Sequence, residues 1–248
     1  MWKLILPFLV FPLALKASTP PKSPGNFSSF AWSVQEIARA PHGLPSPDGL
    51  SVVHAVEDDE EDCCWPYRVW LTNKGRSYAL GFGTYVEAEV AWSPDSSAFF
   101  VTYSDGGAVG TFHVLIYRVD DTGVHKSEPV PNGRKLLKPN CINKEFPNVG
   151  AIQWGENSST LIIAVEVPPH SSCVDMGTFK AFEISVADGK ELKEYGQLEA
   201  KRVFKKTLGV ELQNADDDCF RKPKSCDPWA DLNSNKSNKS VPQKETPE

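Results

Sequence analysis

A chain of 248 residues that is 40% hydrophobic and 23% charged holds enough apolar material for one sizeable core, and its 20 prolines and 17 glycines supply the punctuation of many turns. The formal net charge of −6 provides no basic footprint, which argues against nucleic acid as a partner. No Gly-x-Ser-x-Gly elbow, His-Glu-x-x-His pair or Gly-x-x-x-x-Gly-Lys phosphate loop occurs, so neither a catalytic motif nor a cofactor is indicated.

Residues 1–17 have the plan of a signal peptide. Met1-Trp2-Lys3 makes a short positive start, and the apolar run from Leu4 to Leu15 matches a secretory core while being too short to span a bilayer comfortably. Pro7 and Pro12 disfavour a persistent membrane helix, Ala17 suits the last position before cleavage, and no cysteine follows at once to take a lipid anchor. An uncleaved anchor is the competing reading. Residues 18–29, rich in Pro, Ser and Lys, read as a flexible leader into a folded domain at 30–228. The expected location is therefore exported, periplasmic or extracellular, with no stable membrane span after cleavage.

Within the domain three stretches recur at matching points: Ser46-Pro47-Asp48-Gly49, Trp92-Ser93-Pro94-Asp95-Ser96 and Trp154-Gly155-Glu156-Asn157-Ser158. Pro fixes φ and Asp or Asn can bond its own backbone two residues on, so each is a turn. Each opens a buried-strand pattern: Leu50–Val56, Ala98–Tyr103 and Thr160–Val167. A second β-rich run follows at Tyr67–Leu71, Phe112–Val119 and Phe179–Val186, ending in a Gly-bearing turn. A fourth, edge-type strand fits at Arg76–Leu80, Lys126–Val130 and Glu191–Tyr195, and an inner strand at Gln35–Ala40, Glu87–Trp92 and Val149–Trp154. Asp48 and Asp95 stand 47 positions apart and Asp95 and Asn157 62. The first spacing is near the period of about 40–45 residues of four-stranded propeller blades, and the excess in the second falls in the connection His125–Gly150.

Trp92-Ser93-Pro94-Asp95-Ser96 with Ala98 to Gly107, then Leu115 to Asp120 and Asp121-Thr122-Gly123, resembles the TolB-type, WD-repeat-like β-propeller blades of exported bacterial proteins. The resemblance covers about residues 35–195. It departs at Pro45, where Trp is expected, and at Gly155-Glu156-Asn157, which replaces Ser-Pro-Asp. It implies a fold and a habit of binding proteins or carbohydrate-like ligands, not a reaction. The expected fold is thus all-β, about three four-stranded antiparallel blade-like sheets forming a partial or open propeller.

Propellers close with about 4–8 blades, so three leave sheet faces and edges to be covered. The stack can stay open and be capped by its own termini, can close by self-association, or can include a further degenerate blade; the open stack is the favoured outcome. The stretch Gln197–Leu208 supplies a short C-terminal helix for a cap, with Leu198, Val203, Phe204 and Leu208 apolar. Residues 229–248 form a polar tail that cannot bury enough surface to fold.

Six cysteines behind an export signal favour disulfides. Cys219 with Cys226 would staple the end of the domain, and Cys141 with Cys173 is a second candidate pair; the adjacent Cys63 and Cys64 leave the connectivity open. A metal reading of Asp62-Cys63-Cys64 lacks the usual ligand spacings, and the acidic run Glu57–Asp62 is a solvated loop or a patch that steers a cationic partner. His54 and His113 fall inside strands, and His42, His125 and His170 in loops or turns; none has a visible catalytic partner. Trp92 and Trp154 hold equivalent repeat positions and read as core anchors, whereas Trp65, beside Pro66 and the acidic loop, is the aromatic best placed for ligand contact.

Two functional classes compete. The first is an exported, non-catalytic scaffold that binds a protein or envelope component. The second is an exported hydrolase or lyase whose scattered carboxylates, such as Asp105, Glu166 and Asp175, converge only in three dimensions. The first is preferred.

Overall fold

The computed structural model describes residues 23–57, 67–82, 87–106, 110–131, 133–141 and 145–215. A short strand β1 (Trp32–Ser33) runs directly into helix α1 (Val34–Arg39). The first sheet follows, with β2 (Leu44–Pro45), β3 (Ser51–Glu57), β4 (Tyr67–Asn73) and β5 (Arg76–Ala79) side by side in chain order. The second holds β6 (Ala88–Trp92), β7 (Ala98–Ser104), β8 (Phe112–Val119) and β9 (Val124–Ser127), with β1 added on the free edge of β6. The third holds β10 (Asn148–Trp154), β11 (Thr160–Glu166), β12 (Phe179–Ser185) and β13 (Glu191–Tyr195). Helices α2 (Gln197–Val203) and α3 (Val210–Asn214) end the described chain. All strand pairings are antiparallel, and no sheet closes into a barrel among the described residues.

The strands are apolar on both faces where a sheet has neighbours on both sides. On β7, Phe99 and Val101 turn toward the first sheet, where they meet Val53, Val69 and Leu71. Ala98 and Phe100 turn the other way and join Val149, Ala151, Ile163 and Phe182 of the third sheet. The far face of the third sheet, with Ile152, Ile162, Ala164 and Ala181, lies under Ala200, Phe204, Leu208 and Leu212 of the C-terminal segment. Three cores thus alternate with three sheets, and the helices cap one end of the stack.

The repeated turns also interlock. In the first two, the Ser46 hydroxyl donates to Asp48 Oδ1 (2.6 Å) and that of Ser93 to Asp95 Oδ1 (2.7 Å). The residues after these acids and after Asn157, namely Gly49, Ser96 and Ser158, all adopt positive φ. The Asp48 N–H donates to Ser96 Oγ (3.0 Å), tying neighbouring turns together. The indole N–H of Trp92 donates to the Leu44 carbonyl and that of Trp154 to the Ala91 carbonyl, both at 3.2 Å. Each tryptophan therefore bonds the inner strand of the sheet before it. Pro45 takes this position in the first sheet, which has no sheet before it among the described residues.

Several expectations are corrected. The inner strand expected at Gln35–Ala40 is α1, because Ser33 and Glu36 form a capping box. The Glu36 N–H donates to Ser33 Oγ (3.2 Å) and the Ser33 N–H to Glu36 Oε2 (3.0 Å). The Ser-x-x-Glu spacing was the legible signal. The inner edge is filled by β2 instead, whose shortness follows from Pro45 lacking an N–H for a ladder. The fourth strand expected at Lys126–Val130 lies at β9, so His125 belongs to a strand rather than a loop. The helix expected over Gln197–Leu208 stops at Val203, and α3 follows.

The leader expected through residue 29 is shorter than its composition implies. Phe27 is fully buried, and Ser28 pairs with Leu208 in an isolated bridge. Gly209 donates to the Phe27 carbonyl (2.8 Å) and Val210 to that of Gly25 (2.9 Å), so the start of the described chain is sewn to its end. The Phe27 ring lies against Gly150, where an added Cβ would fall 2.0 Å from it.

Candidate functional site

Glu89 sits on β6, a strand otherwise filled with apolar side chains, and its carboxylate is turned onto the segment that precedes β1. Oε1 accepts from the N–H groups of Asn26 and Phe27, the latter at 3.1 Å, and Oε2 from that of Ser28 (3.1 Å). Burial, with a smaller push from Glu211, raises its pKa to about 7 against the pull of these three donors. The carboxylate is thus a clamp that satisfies three backbone donors in a buried turn.

Glu211, on α3, is the hub of a wider acidic group. Its own pKa is raised by burial and then by Glu87, while His170 lowers it. Glu166, at the end of β11, is almost fully buried and held well above the carboxylate range by burial and Glu211, against a hydrogen bond from Asn148 Nδ2 (3.4 Å). Burial also raises Glu87, which accepts from Asn26 Nδ2 (3.3 Å). Asn148 Oδ1 in turn accepts from the Phe112 N–H (3.2 Å), and the Ala151 N–H donates to Thr102 Oγ1 (2.9 Å), which binds the third sheet to the second here.

Two open clefts flank this group and share Phe112. One, of about 310 Å³, is lined by Asn26, Glu36, Arg39, Glu87 and Glu89 among others. The other, of about 340 Å³, is lined by Thr111, Glu145, Asn148, His170 and Glu211. Three of the four carboxyls line these clefts, Glu87 and Glu89 the first and Glu211 the second, on either side of the Phe112 ring, and with the buried Glu166 they form an acidic mouth. The legible trace was Glu87-x-Glu89, two acids of one parity entering a buried strand. Glu211 had none, since its position depends on α3.

The sites expected from sequence are distributed differently. Trp92 and Trp154 are buried core anchors. Cys141 and Cys173 are joined in a disulfide. Trp65, Cys63, Cys64, Cys219, Cys226 and residues 58–62 of the acidic run lie outside the described residues. The carboxylates weighed for an enzyme have separate partners. Asp105 accepts from the Thr111 N–H (2.7 Å), Asp175 from the Asn140 N–H (3.0 Å), and Glu166 from Asn148. His113 has Asp105 Oδ2 3.5 Å from Nε2 and Glu128 Oε1 3.4 Å from Nδ1.

Neither a protein-family model nor a curated protein matches the chain. Among solved structures, it is similar to a Bacteroides fragilis protein whose assignment as a 6-phosphogluconolactonase is provisional, at 12% identity and a TM-score of 0.27. The match covers 62% of this chain and 55% of that one, so the chain spans about half the length of the structure it matches.

Proposed function

We propose that this protein is an exported, non-catalytic binding domain that receives a basic segment of a protein or envelope component at the acidic mouth between its second and third sheets. The carrying observation is the convergence of Glu87, Glu89, Glu166 and Glu211, all raised in pKa, beside two open clefts. A lysine or arginine entering the mouth would favour the ionised carboxylates and pair with them. The acidic balance of the whole chain steers in the same direction. Export is supported by the signal-like residues 1–17 and by the Cys141–Cys173 disulfide, a bond that persists in oxidising compartments. No helix among the described residues is long and apolar enough to cross a membrane. The TolB-type, WD-repeat-like blades that the turns resemble supply the scaffold part of the reading.

The test is a fluorescence titration of the protein with a short oligolysine peptide, with an oligoglutamate of equal length as the control. Affinity for oligolysine should rise with pH above the ordinary carboxylate range, because Glu87 and Glu211 hold their protons to higher pH than free carboxyls do. Glu87→Gln and Glu211→Gln should each weaken binding about tenfold, or ~1.4 kcal/mol. Equal binding of both peptides, or indifference to both substitutions, would sink the proposal.

A further inference from the structure

Cys141, Glu145 and Cys173 bring a sulfur, a carboxylate oxygen and a second sulfur within 4.8 Å of one another. The two cysteines stand 32 positions apart, face each other across an isolated antiparallel bridge and are bonded. Glu145 does not drift beside them. Its Oε1 accepts from both the N–H (3.0 Å) and the hydroxyl (2.7 Å) of Ser172, which leaves Oε2 3.8 Å from Cys173 Sγ. The neighbouring residue of the sulfur thus orients the carboxylate. His170, three positions before Cys173, lines the same cleft as Glu145, so an imidazole is at hand on the same loop.

We propose that Cys141, Glu145 and Cys173 form a redox-gated site for a thiophilic divalent cation, with Zn²⁺ the best match. Two thiolates and one carboxylate are a zinc donor set, and the cleft beside them leaves a fourth coordination position for water or an imidazole. The disulfide keeps the site closed, since its sulfurs carry no charge. A dithiol donor opens it by thiol–disulfide exchange: the Cys141–Cys173 bond breaks, the donor forms its own disulfide, and its two electrons and two protons pass to the cysteines. Zn²⁺ then displaces both thiol protons to solvent and forms two Zn–S bonds and one Zn–O bond. This site shares its cleft with the acidic mouth through Glu145 and His170 but does not depend on the binding function proposed for the mouth.

The test uses a chain in which Cys63, Cys64, Cys219 and Cys226 are replaced by Ser, so that Cys141 and Cys173 are the remaining cysteines. After reduction and anaerobic desalting, calorimetry should find one Zn²⁺ per chain with release of about two protons, and Co²⁺ should give thiolate charge-transfer absorption. The oxidised chain should bind none. Glu145→Gln should weaken Zn²⁺ by about tenfold or more, the scale on which even outer-sphere partners act, while the Co²⁺–thiolate absorption persists. Should the fourfold variant fail to fold, the reduced native chain should hold one more equivalent of Zn²⁺ than its C141S/C173S variant. Equal uptake by reduced and oxidised chains, no difference of one equivalent, or an unchanged affinity in Glu145→Gln would overturn the proposal.

Discussion

Glu89 shows how a single buried side chain sets a pH dependence. Its folded pKa is about 7 against an ordinary value of 4.5. The folded state therefore keeps a proton that the unfolded chain has lost between those values. The associated stability is fully present below about 4.5 and is lost as pH rises through 7, a difference on the order of 3 kcal/mol. Raised pKa values at Glu166, Glu211 and Glu87 act in the same sense. The turn acids Asp48, Asp95 and Asp188 have lowered values, and Asp120 lies near 2, so their contribution is fully present above the ordinary carboxylate value and is lost as pH falls below it toward the lowered ones. Thermal melts should accordingly show Tm rising as pH is lowered from about 8 to about 5, then falling in stronger acid. Glu89→Gln cannot titrate, so its Tm should be flatter over the same interval. An unchanged slope would show that Glu89 is not the group responsible. The variant should also be less stable in mild acid by about 1–3 kcal/mol, because an amide nitrogen would face one of the donors at Asn26, Phe27 or Ser28.

At the scale of the element, the third turn explains its own departure from the repeat. Gly155 stands where the other copies carry Ser46 and Ser93, and a Cβ there would fall 1.9 Å from Thr160 Oγ1. The position equivalent to Thr160 is Ser51 in the first copy and Ala98 in the second, each five residues after the serine. Serine and threonine therefore compete for one space, and the third copy has settled the competition by losing the serine side chain. Gly155→Ser alone should cost about 1–3 kcal/mol through overpacking. Gly155→Ser combined with Thr160→Ala recreates the second copy's pairing and should recover most of that loss. Denaturant midpoints of the two variants check this, and an additive double variant would refute the shared space. Such local rules are what made the sheets legible from the chain: the turns, the flanking tryptophans and the β-rich runs act within a few residues of one another. The capping box of α1 was equally local but was outweighed by an expected inner strand. Beyond the Glu87-x-Glu89 spacing the acidic mouth was not legible, because Glu89 meets Asn26, Phe27 and Ser28 over more than 60 positions, and Glu211 arrives through a helix that composition alone did not place.

At the scale of the whole molecule, the two ends of the stack differ. The third sheet gives its far face to α2, α3 and Phe27, and so presents no bare blade to a partner. The first sheet keeps an outward face on which Val52, His54 and Val56 of β3 alternate with the inward Val53 and Ala55. Opposite them on β4 stand Arg68, Trp70 and Thr72, and His54 stacks on Trp70 with ring centroids 5.1 Å apart. This face is mixed in polarity and partly satisfied by its own ring pair. More telling is the tryptophan bond between sheets: Trp154 reaches the second sheet and Trp92 the first, but Pro45 holds the position that would have to reach a sheet before the first. A second copy docking there to complete a ring would meet neither that indole nor, at its other end, an uncovered sheet. The chain should therefore sediment as a monomer over the concentration range accessible to analytical ultracentrifugation, in the oxidised state and at neutral pH. A stable dimer would reverse this argument, and Trp70→Asp would then locate it: restored monomers would place the contact on the first sheet, where the missing indole says no sheet is meant to follow.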